Sequence, residues 1–242
     1  MARQPDGPPP PPVVQKLRLQ YAKRGRLRFS SHRDFQRALE RALRRADVPM
    51  AYSAGFHPHP KISFANAAPT GTASEAEYVE LSLAERCDPL AVRQALDESL
   101  PDGLDVVQVV EAAPGALADR LEASEWLVVL PGTDGAAVTA AVATFLAAEQ
   151  LDVERLTKNG PRSLDARGPV VSLEVEAPAE APAEPTLRLV VRHVTPTVRP
   201  QEVLVALASL GLVADQAPQA TRLRQGPLRD GVVGDPLAVA AS

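Results

Sequence analysis

Apolar and polar residues alternate near the start of the chain. Leu17, Leu19 and Tyr21 are separated by Arg18 and Gln20, a period of two that predicts a half-buried strand over residues 14–21. Lys23-Arg24-Gly25 reads as a turn, and a short strand is expected over residues 26–29. The period then changes. Phe35, Ala38, Leu39, Ala42, Leu43 and Ala46 fall at i, i+3, i+4, i+7, i+8 and i+11, one apolar face of a helix. Ser31 is placed to cap that helix, with Asp34 three residues on as a capping-box partner. Asp47 and Pro49 end it. Short strands are expected around residues 61–64 and 78–83. A helix over 89–100 presents Leu90, Val92, Ala95, Leu96 and Leu100, and after Pro101-Asp102-Gly103 a strand runs over 104–110. The order β–α–β–β–α–β is that of the ferredoxin-like split βαβ unit.

The remaining half repeats this order. A strand is expected over 125–130, an Ala- and Val-rich helix over 134–150, and strands over 151–157 and 186–194. A helix over 199–210 follows, opened by Thr197 as N-cap with Pro200 in its first turn, and then a last strand over 220–224. A long connection, 158–185, separates the second and third of these strands. It contains a further short strand over 169–175 and the low-complexity run EAPAEAPAEP. The fold class expected is α+β, as tandem ferredoxin-like (βαββαβ) domains with antiparallel sheets. The first domain is assigned to residues 14–112 and the second to 113–225. The Pro-rich segment 1–13 and the segment 226–242 are expected to be disordered tails.

Composition narrows the function classes. With 242 residues, 45% hydrophobic, the chain holds enough apolar material for a core. No run of about 18 apolar residues is present and no secretory signal is visible, so no membrane association and a cytoplasmic location are expected. Cys87 is the one cysteine, which excludes a disulfide framework, a zinc ribbon and a cysteine-ligated iron–sulfur cluster within one chain, and no cofactor is expected. The net charge of −4 conceals a division. Residues 1–72 hold 13 of the 26 Lys and Arg but four of the 30 Asp and Glu, a net +9, and the rest of the chain carries −13. Such asymmetry fits either a polyanion-binding half, RNA above all, or a basic half that pairs with an acidic one.

The candidate chemistry lies in the basic segment. Arg33, Arg37, Arg41 and Arg44 form a stripe opposite the apolar face of the first helix. Ser30, Ser31 and His32 stand at the N-terminus of that helix, where anions are favoured, and His32 is a candidate general acid or base because histidine is the side chain suited to that role near neutral pH. In Gly55-Phe56-His57-Pro58-His59-Pro60-Lys61, alternating prolines hold the loop extended and turn His57 and His59 to the same side. That pair suits a grip on phosphate or two ligands of a metal. A closed metal site needs further ligands, for which His32, Asp34 and Glu77 are the candidates, and no metal is assigned. Ser31, Tyr52, Gly55, Phe56, His57, His59 and Gly71 make up the expected binding loop, Gly71 lying in a polar Pro-Thr-Gly-Thr segment without the Gly-Lys-Ser/Thr ending of a P-loop. Lys61 joins the basic stripe, and Arg155, Lys158, Arg162 and Arg167 form a basic cluster in the acidic half, either an extension of a polyanion path or a solvated hairpin.

The run from Arg26 to Leu81, RLRFSSHRDFQRALERALRRADVPMAYSAGFHPHPKISFANAAPTGTASEAEYVEL, resembles the radical SAM-linked protein family, densely over residues 15–83 and more weakly to about residue 225, with VERLTKNGPRSLDARG as a second block. The resemblance implies a bacterial cytosolic setting and partnership with a radical SAM enzyme, and it supplies no activity. Where that family reads Asn-Pro-His-Pro this chain has His57-Pro58-His59-Pro60, leaving His59 as the family-type histidine. With one cysteine the chain does not itself carry a radical SAM cluster. The expected architecture is also similar to that of CRISPR repeat-processing endoribonucleases, which cut RNA without metal using a histidine near the first helix. Three readings stand at this point: an RNA-binding accessory module acting with a radical SAM enzyme on tRNA or rRNA, a metal-independent RNA-processing enzyme using His32 or His59, and a protein-interaction module without RNA affinity.

Overall fold

The computed structural model describes residues 10–158, 160–176 and 184–238. Residues 1–9 of the expected Pro-rich tail and residues 177–183 of the Pro-Ala run lie outside them. The chain divides into two compact units, residues 1–119 with 237–242, and residues 120–236. No helix among the described residues is long and apolar enough to cross a membrane.

In the first unit β1 (Gln15–Lys23) leads through a 3-10 turn, Gly25–Phe29, into α1 (His32–Arg45). Next come β2 (Ile62–Ala65), β3 (Ala73–Leu83), α2 (Pro89–Ser99) and β4 (Leu104–Glu111). The strands lie in the order β4-β1-β3-β2, each pair antiparallel. The 3-10 turn replaces the strand expected at residues 26–29. Gly25 takes φ +52, and Leu27 and Ser30 donate their N–H groups to the carbonyls of Arg24 and Leu27, so the segment closes on itself instead of pairing. Leu17, Leu19 and Tyr21 of β1 pack with Phe35, Leu39, Ala42 and Leu43 of α1 and with Leu96 of α2 in one core. Burial of each large apolar side chain contributes about 1.5–3 kcal/mol. The strand is not half-buried as expected. On its other face Arg18 is buried too, with Nε donating to Glu80 Oε2 at 3.0 Å and Nη2 to the Gly115 carbonyl.

The second unit has its own core. β5 (Ala123–Val129), α3 (Gly135–Ala147), β6 (Asp152–Thr157), β7 (Gly160–Asp165), β8 (Val170–Glu176), β9 (Thr186–Arg192), α4 (Pro200–Ser209) and β10 (Gln219–Gly226) follow in order. Its main strands lie in the order β10-β5-β9-β8, all antiparallel. Trp126, Val128, Val138, Phe145, Leu189 and Leu207 are among the buried residues between this sheet and α3 and α4. The strand over residues 151–157 does not join the sheet, as the sequence reading had placed it. It pairs with β7 as a separate ribbon, Val153 opposite Leu164, and β8, read from sequence as a minor strand inside a connection, takes the sheet position beside β9. α4 starts one turn-position later than expected: Arg199, held extended before Pro200, occupies the N-cap in place of Thr197. Residues 226–238 are not an unstructured tail. β11 (Leu228–Arg229) pairs with β12 (Val232–Val233), and Val233 packs on Ala123 and Val190. Gly226 permits this return, because a Cβ there would lie 2.1 Å from the Gly234 carbonyl oxygen.

Candidate nucleic-acid interface

His32 opens α1. Ser31 caps the helix as expected: its Oγ accepts the Asp34 N–H at 3.2 Å, and Asp34 Oδ2 accepts from Ser31 N–H at 3.2 Å and from its hydroxyl at 2.7 Å. These bonds hold the Asp34 carboxyl below its ordinary range. The anion that this helix end favours is thus supplied by the helix itself. The His32 ring stands edge-on to Phe64, 4.5 Å between centroids, at the end of a ring series in which Phe64 meets Phe35 at 5.9 Å and Phe35 stacks on Tyr21 at 4.0 Å. The imidazole is exposed and its orientation is set by the core beneath it.

The 53–60 loop lies at the other end of β2. Ser53 and His59 close it, Ser53 N–H donating to the His59 carbonyl at 2.8 Å and His59 N–H to Ser53 Oγ at 3.0 Å. Tyr52 bridges Pro60. Gly55 takes φ +132 at its tip, a conformation side-chain-bearing residues avoid. Phe56, His57 and His59 are exposed. His32 meets Phe64 inside β2, whereas His59 precedes that strand, five residues before Phe64, roughly 16 Å of chain if fully extended. Among the described residues no group of three or more His, Cys, Asp or Glu side chains is placed to hold a metal. Glu77, a candidate ligand from sequence, is buried and accepts the Ala68 N–H at 3.0 Å. Gly71 does not offer its N–H to a ligand either: it donates to the Arg28 carbonyl at 2.7 Å.

The structure sorts the basic residues. Lys16 and Arg18 share Glu80, Arg24 bonds Glu75 and Asp105, and Arg45 donates to the Ser99 carbonyl at 2.8 Å. Glu80 is held below the usual carboxylate range by Lys16 and Arg18, against the opposing effect of its burial. In contrast, Arg26, Arg33, Arg37, Arg41, Arg44 and Lys61 are exposed and have no ion pair among the described residues. In the second unit the expected cluster breaks up. Arg155 donates Nε to Glu202 at 2.8 Å and Nη2 to the Thr197 carbonyl at 2.7 Å, so it is a strut between β6 and α4 and not a free cation. Arg167 bonds the Val170 and Leu146 carbonyls and lies over the Phe145 ring. Lys158 stays exposed at the ribbon's turn, and Arg162 stays exposed in β7 opposite Arg155.

Two groups escaped the sequence reading. Arg26 belongs with the unpaired cations and was passed over as part of a supposed strand. His193 makes a dyad with Ser124, Nε2 to Oγ at 2.6 Å, with Nδ1 on the Leu121 carbonyl at 2.6 Å. In the neutral ring Nδ1–H donates to Leu121 and the serine hydroxyl donates to Nε2. The arrangement is that of a base with its orienting group, but Ser124 is only 2% exposed within β5 and offers no attack path, so the pair is structural. Burial is the largest cause that lowers the His193 pKa, and the nearby Arg222 adds to it. A family model described as an uncharacterized protein conserved in bacteria matches residues 16–200. No curated protein matches the chain.

Proposed function

The chain belongs to that bacterial family, DUF2344, and we propose that it is an RNA-binding accessory module that acts with a radical SAM enzyme in tRNA or rRNA modification or processing. One observation carries the reading. Six cations, Arg26, Arg33, Arg37, Arg41, Arg44 and Lys61, stand exposed with no ion pair among the described residues, on one unit of a chain that is acidic overall, with Asp34 the one carboxylate whose charge Arg33 and Arg37 feel. A protein that needs its positive charge for folding pairs it, as Arg18, Arg24 and Arg155 are paired here. A row of unpaired cations along one helix face matches a phosphate backbone. The enzyme partner rests on the resemblance of residues 15–83 alone. In the same reading the two units are tandem ferredoxin-like domains. The orders β4-β1-β3-β2 and β10-β5-β9-β8 support this once the β6–β7 ribbon is treated as an insertion. Catalysis by a histidine pair has less support, because His32 and His59 flank opposite ends of β2.

The test is affinity for tRNA and rRNA fragments as a function of salt. Binding is expected at about 50 mM salt and should weaken steeply by 200 mM. The double variant Arg37→Ala, Arg41→Ala should lower the slope of log K against log salt by about 1.4 for single-stranded RNA. Absence of binding at the low salt concentration overturns the proposal.

A further inference from the structure

The chain has one Trp, three Tyr and five Phe, few for its length. Core packing accounts for most of them: Tyr21, Phe35, Tyr78, Trp126 and Phe145 are buried and Phe64 lies half-buried under His32. Three are exposed. Phe29 is 61%, Tyr52 39% and Phe56 65% accessible. All three fall in the stretch from Arg26 to Lys61 that holds the unpaired cations. Leaving a Phe ring in water forgoes about 1.5–3 kcal/mol of burial, so three such rings in one basic segment call for an occupant. Their places are ordered. Phe29 ends the 3-10 turn just ahead of the α1 N-terminus, and Tyr52 and Phe56 lie in the loop that follows its C-terminus. Between them the stripe from Arg33 to Arg44 runs about 16 Å along the helix. Arg28 lies over the Phe29 ring at 4.8 Å, a guanidinium–ring pair that forms one side of a stacking platform.

From this juxtaposition we propose that the RNA bound here is single-stranded, its phosphates following the α1 arginines and its unstacked bases stacking on Phe29 at one end and on Phe56 and Tyr52 at the other. The inference rests on the RNA reading above and refines its substrate class. Bases in a duplex are already stacked on their neighbours and present no face to a protein ring, and the major groove of A-form RNA is too narrow for side chains to enter. Stacking on rings tolerates any base, so preference for strandedness without strong preference for sequence is expected.

The experiment uses the full chain and an unstructured pyrimidine RNA of about 12 nucleotides, alone and annealed to its complement, with binding followed by fluorescence anisotropy. The single strand should bind about tenfold or more tightly than the duplex. Phe29→Ala and Phe56→Ala should each weaken single-strand binding by about tenfold while the salt slope stays unchanged, and Phe56→Tyr should retain binding. Both rings are exposed, so unchanged melting curves are expected for the variants. Equal affinity for the two forms, or aromatic variants that bind like the parent, overturns the single-strand assignment and leaves the RNA reading standing. No binding to either form overturns both.

Discussion

His193 shows what a single side chain contributes when its surroundings are decided by the fold. The ring is held neutral between the Ser124 hydroxyl and the Leu121 carbonyl, and burial depresses its pKa. In the unfolded chain a histidine takes up a proton below about pH 6.5. The folded form resists protonation until a lower pH, so its contribution to stability is complete above that value and is lost as pH falls towards the folded pKa. Urea titrations at pH 7.5 and 5.5 should therefore show a loss of stability on acidification that is smaller in His193→Asn. Equal losses in the two proteins would contradict the assignment. Ser124 and His193 are 69 residues apart, and nothing local to either marks the pair, which is why sequence inspection passed over it. Ser31 and Asp34 are three residues apart, and their capping bonds were readable because the motif is local. The exposure of Phe29 was hidden by a different cause: Arg26-Leu27-Arg28-Phe29 alternates for too few residues to separate a strand from a 3-10 turn.

Among the elements, those whose partners are near in sequence or whose period is sustained were legible. α1 shows six apolar positions at helical spacing, and its observed span, His32–Arg45, follows from them. The ribbon of β6 and β7 was not legible in its pairing, since alternation identifies a strand without identifying its neighbour. Glu202 explains how the ribbon is held. Oε1 receives Arg155 and Oε2 accepts the Arg199 N–H at 2.8 Å, so one carboxylate both anchors β6 and closes the start of α4. Glu202→Ala leaves the half-buried Arg155 guanidinium with the Thr197 carbonyl but no carboxylate, and the Arg199 N–H without its side-chain acceptor. It is expected to cost about 1–3 kcal/mol in urea unfolding, and Glu202→Gln, which keeps an acceptor oxygen, should cost less. The same contact removes Arg155 from the set of cations available to a ligand, a distinction that charge counting does not make.

At the scale of the whole molecule, two units show one strand order, β4-β1-β3-β2 and β10-β5-β9-β8, while the charge division at residue 72 falls inside the first unit and does not follow the boundary between them. The order of elements in the first unit was visible in its spacing. That of the second was obscured by the insertion and by a strand, β8, whose short alternation is interrupted by a bulge between Val170 and Ser172. The family match ends at residue 200, the first residue of α4, but β10, residues 219–226, pairs with β5 along its length. A chain ending at residue 200 lacks α4 and that strand, and exposes the β5 edge beside Trp126. It is expected to be insoluble or to bind hydrophobic dyes. During synthesis the same topology sets an order of events. β5 stays without its β10 neighbour until residues 219–226 have been made, whereas the four strands of the first unit are complete by residue 111.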